Sequence, residues 1–181
     1  VEQVKIVARS REFSPLSSGA GRLFDAVSAL IGICDRNTFE GEAAMALEAV
    51  IQEGIEDEYR LEFKTQNGYT FADFSPMIVE IINDMSLSTA KEMIAAKFHN
   101  TVASAIRAVV SGMSGTYGLK DVALSGGTFQ NQYLLKRVVR ILSLDGMNVY
   151  TNQKVPCNDA GISLGQAYLV RERLKKQLPL P

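Results

Sequence analysis

One histidine, two cysteines and no tryptophan in 181 residues leave little material for several kinds of chemistry. Cys34 and Cys157 have no CxxC spacing, so a disulfide framework and an all-cysteine zinc site are both disfavoured. They read as free thiols in a reducing cytosol, which makes a cytoplasmic location the expectation. His99, alone, cannot found a metal cage or a Ser-His-Asp arrangement, and it reads as a packed or solvent-edge residue beside an apolar stripe. No apolar run of about 18 residues is present, which excludes a membrane-spanning helix. Residues 1–11 lack the apolar segment of a signal peptide. Net charge is only −1 and no long basic run occurs, so nothing favours nucleic acid.

What the chain does have is 46% apolar residues, enough for the core of one domain or one lobe of a two-lobed one. Residues 1–13 are read as an irregular N-terminal segment, and the absence of a starting Met suggests a processed chain or a part of a longer one. Leu23, Phe24, Val27, Leu30 and Ile31 set a helix over residues 19–33; Ala44, Leu47, Val50 and Ile51 set another over 41–52. Alternation of Tyr59, Leu61 and Phe63, then Asn67-Gly68, then Tyr69 and Phe71, predicts a hairpin. Ser75-Pro76 reads as a helix cap and first position. Thr89 and Glu92 read as a capping box for a long helix whose stripe runs to Met113 and which Gly112, Gly115 and Gly118 end. A buried strand over 121–125, a helix over 129–144, a strand over 147–151 and a helix over 161–175 imply parallel strands with helical crossovers. The fold class expected is α/β, with a hairpin and extra helices at the front.

Four segments are candidates for chemistry. In Ser125-Gly126-Gly127 a strand passes directly into a helix, where glycines allow close backbone approach and free N–H groups attract an anion. Ligands collect at the carboxyl ends of strands in open α/β sheets, so this corner is a phosphate or nucleotide candidate; a simple tight turn is the competing reading. In Pro156-Cys-Asn-Asp-Ala-Gly161, Asp159 is either a helix cap or a carboxylate for a hard cation. Asp25, from spacing alone, is a surface residue of its helix. Glu40 and Glu42 favour the positive end of the helix that follows them.

In their order along the chain, SSGAGRLFDAVSALIG, FEGEAAMALE, VALSGGTFQNQYLLKRV and VPCNDAGISLGQA resemble the HypF carbamoyltransferases over residues 14–174. They are similar, more distantly, to TsaD-type threonylcarbamoyl transferases of actin-like fold. The resemblance implies an actin-like ATPase lobe, the C-terminal lobe of a larger enzyme. That enzyme turns ATP and carbamoyl phosphate into carbamoyl-adenylate and passes the carbamoyl group to the C-terminal cysteine of HypE, for the cyanide ligand of nickel–iron hydrogenases. It implies that Gly126 and Gly127 face the nucleotide phosphates with Asn131 nearby, that Asp25 and Glu40-Gly41 bind the adenosine side, and that Asp159 coordinates a divalent metal. Iron or zinc is the metal expected, with magnesium accompanying ATP.

The pattern also departs from that family. The HxxxH motif that completes its metal site is absent, the acylphosphatase-like, zinc-finger and adenylate-forming domains are missing, and Arg22 stands where TsaD-like relatives have Glu. The chain alone is therefore expected to lack complete transferase activity. A lobe of another actin-like ATPase or small-metabolite kinase, and a docking module without turnover, stay open as alternatives. The lobe reading requires the Gly126-Gly127 corner and Asp159 to share one wall.

Overall fold

A computed structural model describes residues 2–15, 17 and 19–177; Ser18 of the SSGAG segment lies outside the described residues. Among the described residues, seven α-helices and two small sheets follow one another as α1 (Glu2–Arg9), α2 (Ala20–Leu30), α3 (Glu42–Ala49), β1 (Glu62–Gln66), β2 (Tyr69–Asp73), α4 (Ser75–Ser86), α5 (Lys91–Tyr117), β3 (Asp121–Leu124), α6 (Gln132–Leu144), β4 (Asn148–Thr151) and α7 (Ile162–Lys175). The α/β class is as expected.

The spine is α5, whose 27 residues span about 40 Å. Its middle is buried on every side: Ile94 to Ala96 and Phe98 to Ala103 have almost no exposed surface. Around it, Phe24 and Val27 of α2, Leu47 of α3, Met77 and Ile81 of α4, and Leu134, Val138 and Leu142 of α6 form one apolar core. Three consecutive polar residues sit inside this helix, and each is satisfied. The His99 ring bonds Ala95 and Asn131, Asn100 Nδ2 donates to the carbonyls of Ile55 (2.9 Å) and Asp57 (2.8 Å), and Thr101 Oγ1 takes the Tyr59 N–H at 2.8 Å. Buried polar groups without such partners would destabilise the fold.

The hairpin turns at Asn67 (φ 53°) and Gly68 (φ 80°), the left-handed pair its sequence called for, with Phe63 opposite Ala72. Strands β3 and β4 pair in parallel, Leu124 beside Thr151, with α6 as crossover.

Several local expectations change. Residues 2–9 are helical rather than irregular, with a Glu2–Lys5 ion pair one turn apart, although none of them is buried. The cap of α4 comes from Asp73, whose Oδ1 accepts the Ser75 N–H (2.9 Å) and hydroxyl (2.6 Å), so Ser75 is itself the first helical residue. The Thr89–Glu92 box does not form: Ala90 is the cap position and makes no side-chain bond. Helix α5 runs through Gly112 and Gly115 and stops only at Gly118, and its stripe emerges into solvent at Val109 and Met113. Only Leu124 of β3 is buried.

The surface is large for the mass. The chain exposes 12511 Å², whereas a compact 19.8 kDa monomer exposes about 8,600 Å². Part of the excess is apolar: Ile162, Leu164, Tyr168 and Leu169 all face outward on α7, which buries nothing.

Candidate functional site

Because β3 and β4 are parallel, both release their chains at the same edge. After Leu124 the backbone turns sharply at Gly126 (φ 108°, ψ 159°), a conformation that essentially only glycine adopts. After Thr151 the chain runs through residues 152–158 and folds back, so that the Gly126 N–H donates to the Cys157 carbonyl at 2.7 Å. The two loops therefore lie against each other. Between them is an open hollow of about 340 Å³, lined by Ser125, Gly126, Asn152, Val155, Pro156, Cys157, Asn158, Asp159, Gly161 and Ile162. A second hollow on the other side of Cys157 reaches Phe129 and Gln132.

Asn158, and not Asp159, caps the turn Asp159–Gly161, its Oδ1 accepting the Ala160 N–H at 3.2 Å. That leaves the Asp159 carboxylate exposed and, among the described residues, without a hydrogen-bond or ion-pair partner. Gly161 fixes how the loop closes: a Cβ there would stand 2.6 Å from the Pro156 carbonyl oxygen. At Gly127, by contrast, a Cβ would meet nothing within 4 Å, so the glycine opens a clear face beside the hollow.

The remaining candidates are dispersed. Asn131 is buried and turned inward: its Oδ1 caps α6 through the Leu134 N–H (2.8 Å), and its Nδ2 donates to His99 Nε2 (2.9 Å). The start of α6 does not offer free N–H groups, because Glu48 Oε1 from α3 already accepts those of Gln132 (2.7 Å) and Tyr133 (3.1 Å). Asp25 lies half-buried on α2, a helix that touches the 3-10 turn following Gly126. Its Oδ2 sits 2.9 Å from the Arg22 guanidinium, a charge contact without hydrogen-bond alignment. Glu40, exposed, and Gly41, half-buried and left-handed (φ 81°), form the turn before α3 and do not line the hollow. That turn is held instead by Glu42, which takes the Thr38 N–H, and by Asn37, which takes the Ala43 N–H at 2.9 Å.

His99 is packed, as its position beside the stripe suggested. Its ring is ringed edge-on by Phe24, Phe98 and Tyr133, and burial pushes its pKa down to about 4 against the opposing pull of the Ala95 carbonyl. Among the described residues, no three His, Cys, Asp or Glu side chains converge on a possible metal position, so Asp159 offers one ligand only. The sequence reading missed Glu48, which had no local signal, and Asn158, whose Asn-Asp-Ala run before a helix could have revealed the cap.

The geometry defines an α/β unit with a glycine corner and a carboxylate, unpartnered among the described residues, side by side at the strand ends, the edge at which ligands collect in open α/β sheets. Residues 2–166 match the family model described as the second subdomain of the Kae1-like carbamoyltransferase domain, and the chain belongs to this HypF carbamoyltransferase family. It is similar to the carbamoyltransferase HypF of Synechocystis, 37% identical over 154 residues that cover 84% of this chain and 19% of the relative. The probable HypF of Methanocaldococcus jannaschii is 30% identical, covering 87% and 20%. Among solved structures, full-length HypF in its phosphate- and nucleotide-bound form superposes with TM-score 0.81 and 44% identity over 87% of this chain and 21% of that one. The T. kodakarensis HypF superposes with TM-score 0.72 and 26% identity, over 90% and 21%. The chain thus spans about a fifth of the length of the relatives it matches.

Proposed function

We propose that this chain is one wall of the ATP site in an actin-like lobe of a cytoplasmic carbamoyltransferase. The enzyme uses ATP and carbamoyl phosphate, by way of carbamoyl-adenylate, to carbamoylate the C-terminal cysteine of HypE during nickel–iron hydrogenase maturation. One observation carries the reading: the 2.7 Å bond from Gly126 N–H to Cys157 O, which clamps the phosphate-type corner to the loop presenting Asp159. A similar protein solved with phosphate and nucleotide bound supports it.

In this reading the bare backbone at Gly126 and Gly127 lets the nucleotide phosphates approach, Asp25 and the Glu40-Gly41 turn serve the adenosine side, and Asn131 acts from behind by fixing the helix start. Asp159 would hold the divalent metal, which when bound neutralises phosphate charge. An exposed carboxylate free of competing partners fits that role, but one ligand holds a cation weakly. The surface excess and the outward apolar face of α7 support a second wall supplied by further domains of the same enzyme. Cleft chemistry needs donors from both walls to orient the phosphates and exclude water.

Isothermal titration of this chain with ATP should show weak binding or none, with affinity restored once the rest of the enzyme is present. Tight, magnesium-independent binding by the chain alone would refute the two-wall reading. In the intact enzyme, Asp159→Ala should abolish carbamoyl transfer while leaving HypE binding intact; unchanged transfer would remove Asp159 from the metal site.

A further inference from the structure

Glu48 stands near the C-terminal end of α3, the helix whose other end follows the Glu40-Gly41 turn. Its Oε1 bridges the N–H groups of Gln132 and Tyr133, 84 and 85 residues away in sequence. The Asn131 side chain takes the next N–H, that of Leu134. From the opposite side α5 grips the same turn: His99 Nε2 accepts from Asn131, and Asn100 Oδ1 accepts the Tyr133 hydroxyl at 2.9 Å. A carboxylate at a helix N-terminus is favoured by both the open N–H groups and the helix dipole. The first turn of α6 is thus saturated from within the fold, and the 3-10 turn Gly127–Gln130 hangs directly from it.

We infer that Glu48 is a positioning residue. Its carboxylate holds the start of α6, and with it the Gly126-Gly127 corner, in fixed relation to the Glu40-Gly41 turn, so that the phosphate and adenosine sides of the lobe move as one body. The inference rests on the nucleotide reading above. It also assigns the positive end of α6 to an internal anion rather than to a substrate phosphate.

The test is made in the intact enzyme with Glu48→Ala and Glu48→Gln, reading carbamoyl transfer at varied ATP and thermal unfolding with and without sodium sulfate. Loss of a charge-assisted pair of bonds should raise the ATP KM about tenfold in Glu48→Ala with kcat within about twofold, because misplacing the corner weakens binding rather than chemistry. Glu48→Gln keeps an acceptor oxygen and should show about a threefold rise. Sulfate should enter the vacated N–H groups, lowering the KM of Glu48→Ala toward wild type and raising its melting temperature more than that of the wild type. An unchanged KM, a fall in kcat at constant KM, or equal sulfate responses in variant and wild type would each overturn the assignment. Should Glu48→Ala fail to fold, an unchanged KM in Glu48→Gln overturns it alone. A wild-type enzyme that does not use ATP would instead sink the proposed function, leaving the sulfate comparison to judge the clamp.

Discussion

Protonation of His99 should set the acid stability of this fold. The Asn131 amide is fixed in orientation because its Oδ1 accepts from Leu134, so its Nδ2 faces His99 Nε2 as a donor. The other nitrogen, Nδ1, donates to the Ala95 carbonyl at 2.7 Å. The neutral Nδ1–H tautomer is the only form that satisfies both contacts, and a second proton on Nε2 would point at the amide donor. Burial lowers the folded-state pKa from 6.5 to about 4. Between those values the unfolded chain holds the proton that the folded chain refuses, so stability rises with pH across the window and falls on acidification. Going from pH 7 to pH 5 should cost about 2 kcal/mol, and complete protonation about 3 kcal/mol. The carboxylates held below their usual range act lower: Asp145, paired with Arg107, and Asp84, where bonds from Lys97 and Tyr59 outweigh burial, lose their contributions only as pH falls below about 4. Because His99 is the sole histidine, its imidazole proton resonances identify it without assignment. An NMR titration midpoint near 4, together with a urea midpoint that drops between pH 7 and 5, is the expected result. A midpoint of 6 to 7, or a pH-independent urea transition, would refute the buried-neutral arrangement.

Three further outcomes are expected. Gly126→Ala should destabilise by about 1–3 kcal/mol through backbone strain alone, whereas Gly127→Ala, in open space, should stay within about 0.5 kcal/mol; chemical denaturation separates them. Gly161→Ala must push the Pro156 backbone carbonyl aside and so re-aim Asp159, lowering both carbamoyl transfer and the melting temperature of the intact enzyme. Phe98→Ala, which empties the centre of the core between Phe24 and His99, should cost about 3–5 kcal/mol by urea titration.

Elements whose signal is local were legible. The Asn67-Gly68 turn and the strand–helix–strand run of β3, α6 and β4 follow from short-range pattern, and the meeting of the Gly126 and Asp159 loops follows from parallel pairing. Legibility ended where a distant partner decides. Ser75 looks like a cap until the Asp73 carboxylate accepts its N–H, and Thr89 looks like one until the Asp84 carbonyl takes its N–H and α5 begins at Lys91. The partners that satisfy His99, Asn100 and Thr101 lie 32 to 45 residues away, so no pattern along α5 announces them. Glu48 was one acidic residue on a short helix until α6 came to rest on it. Strand β3 reads as buried from composition, yet Leu124 alone of its residues is buried, with Val122 half-buried against the core.

Among the described residues, helix α7 packs chiefly against the Asp159 turn, so the carboxylate lies between a loop tied down on one side and a helix without buried residues on the other. The tie is the Gly126–Cys157 bond. A helix with no buried side chain has little to resist local opening, and its amides should exchange with solvent far sooner than those of α5. Covering the apolar side of α7 would therefore steady a side chain just upstream of it. In that sense the apolar face that begins at Ile162, on the rim of the hollow, bears on how firmly Asp159 is aimed.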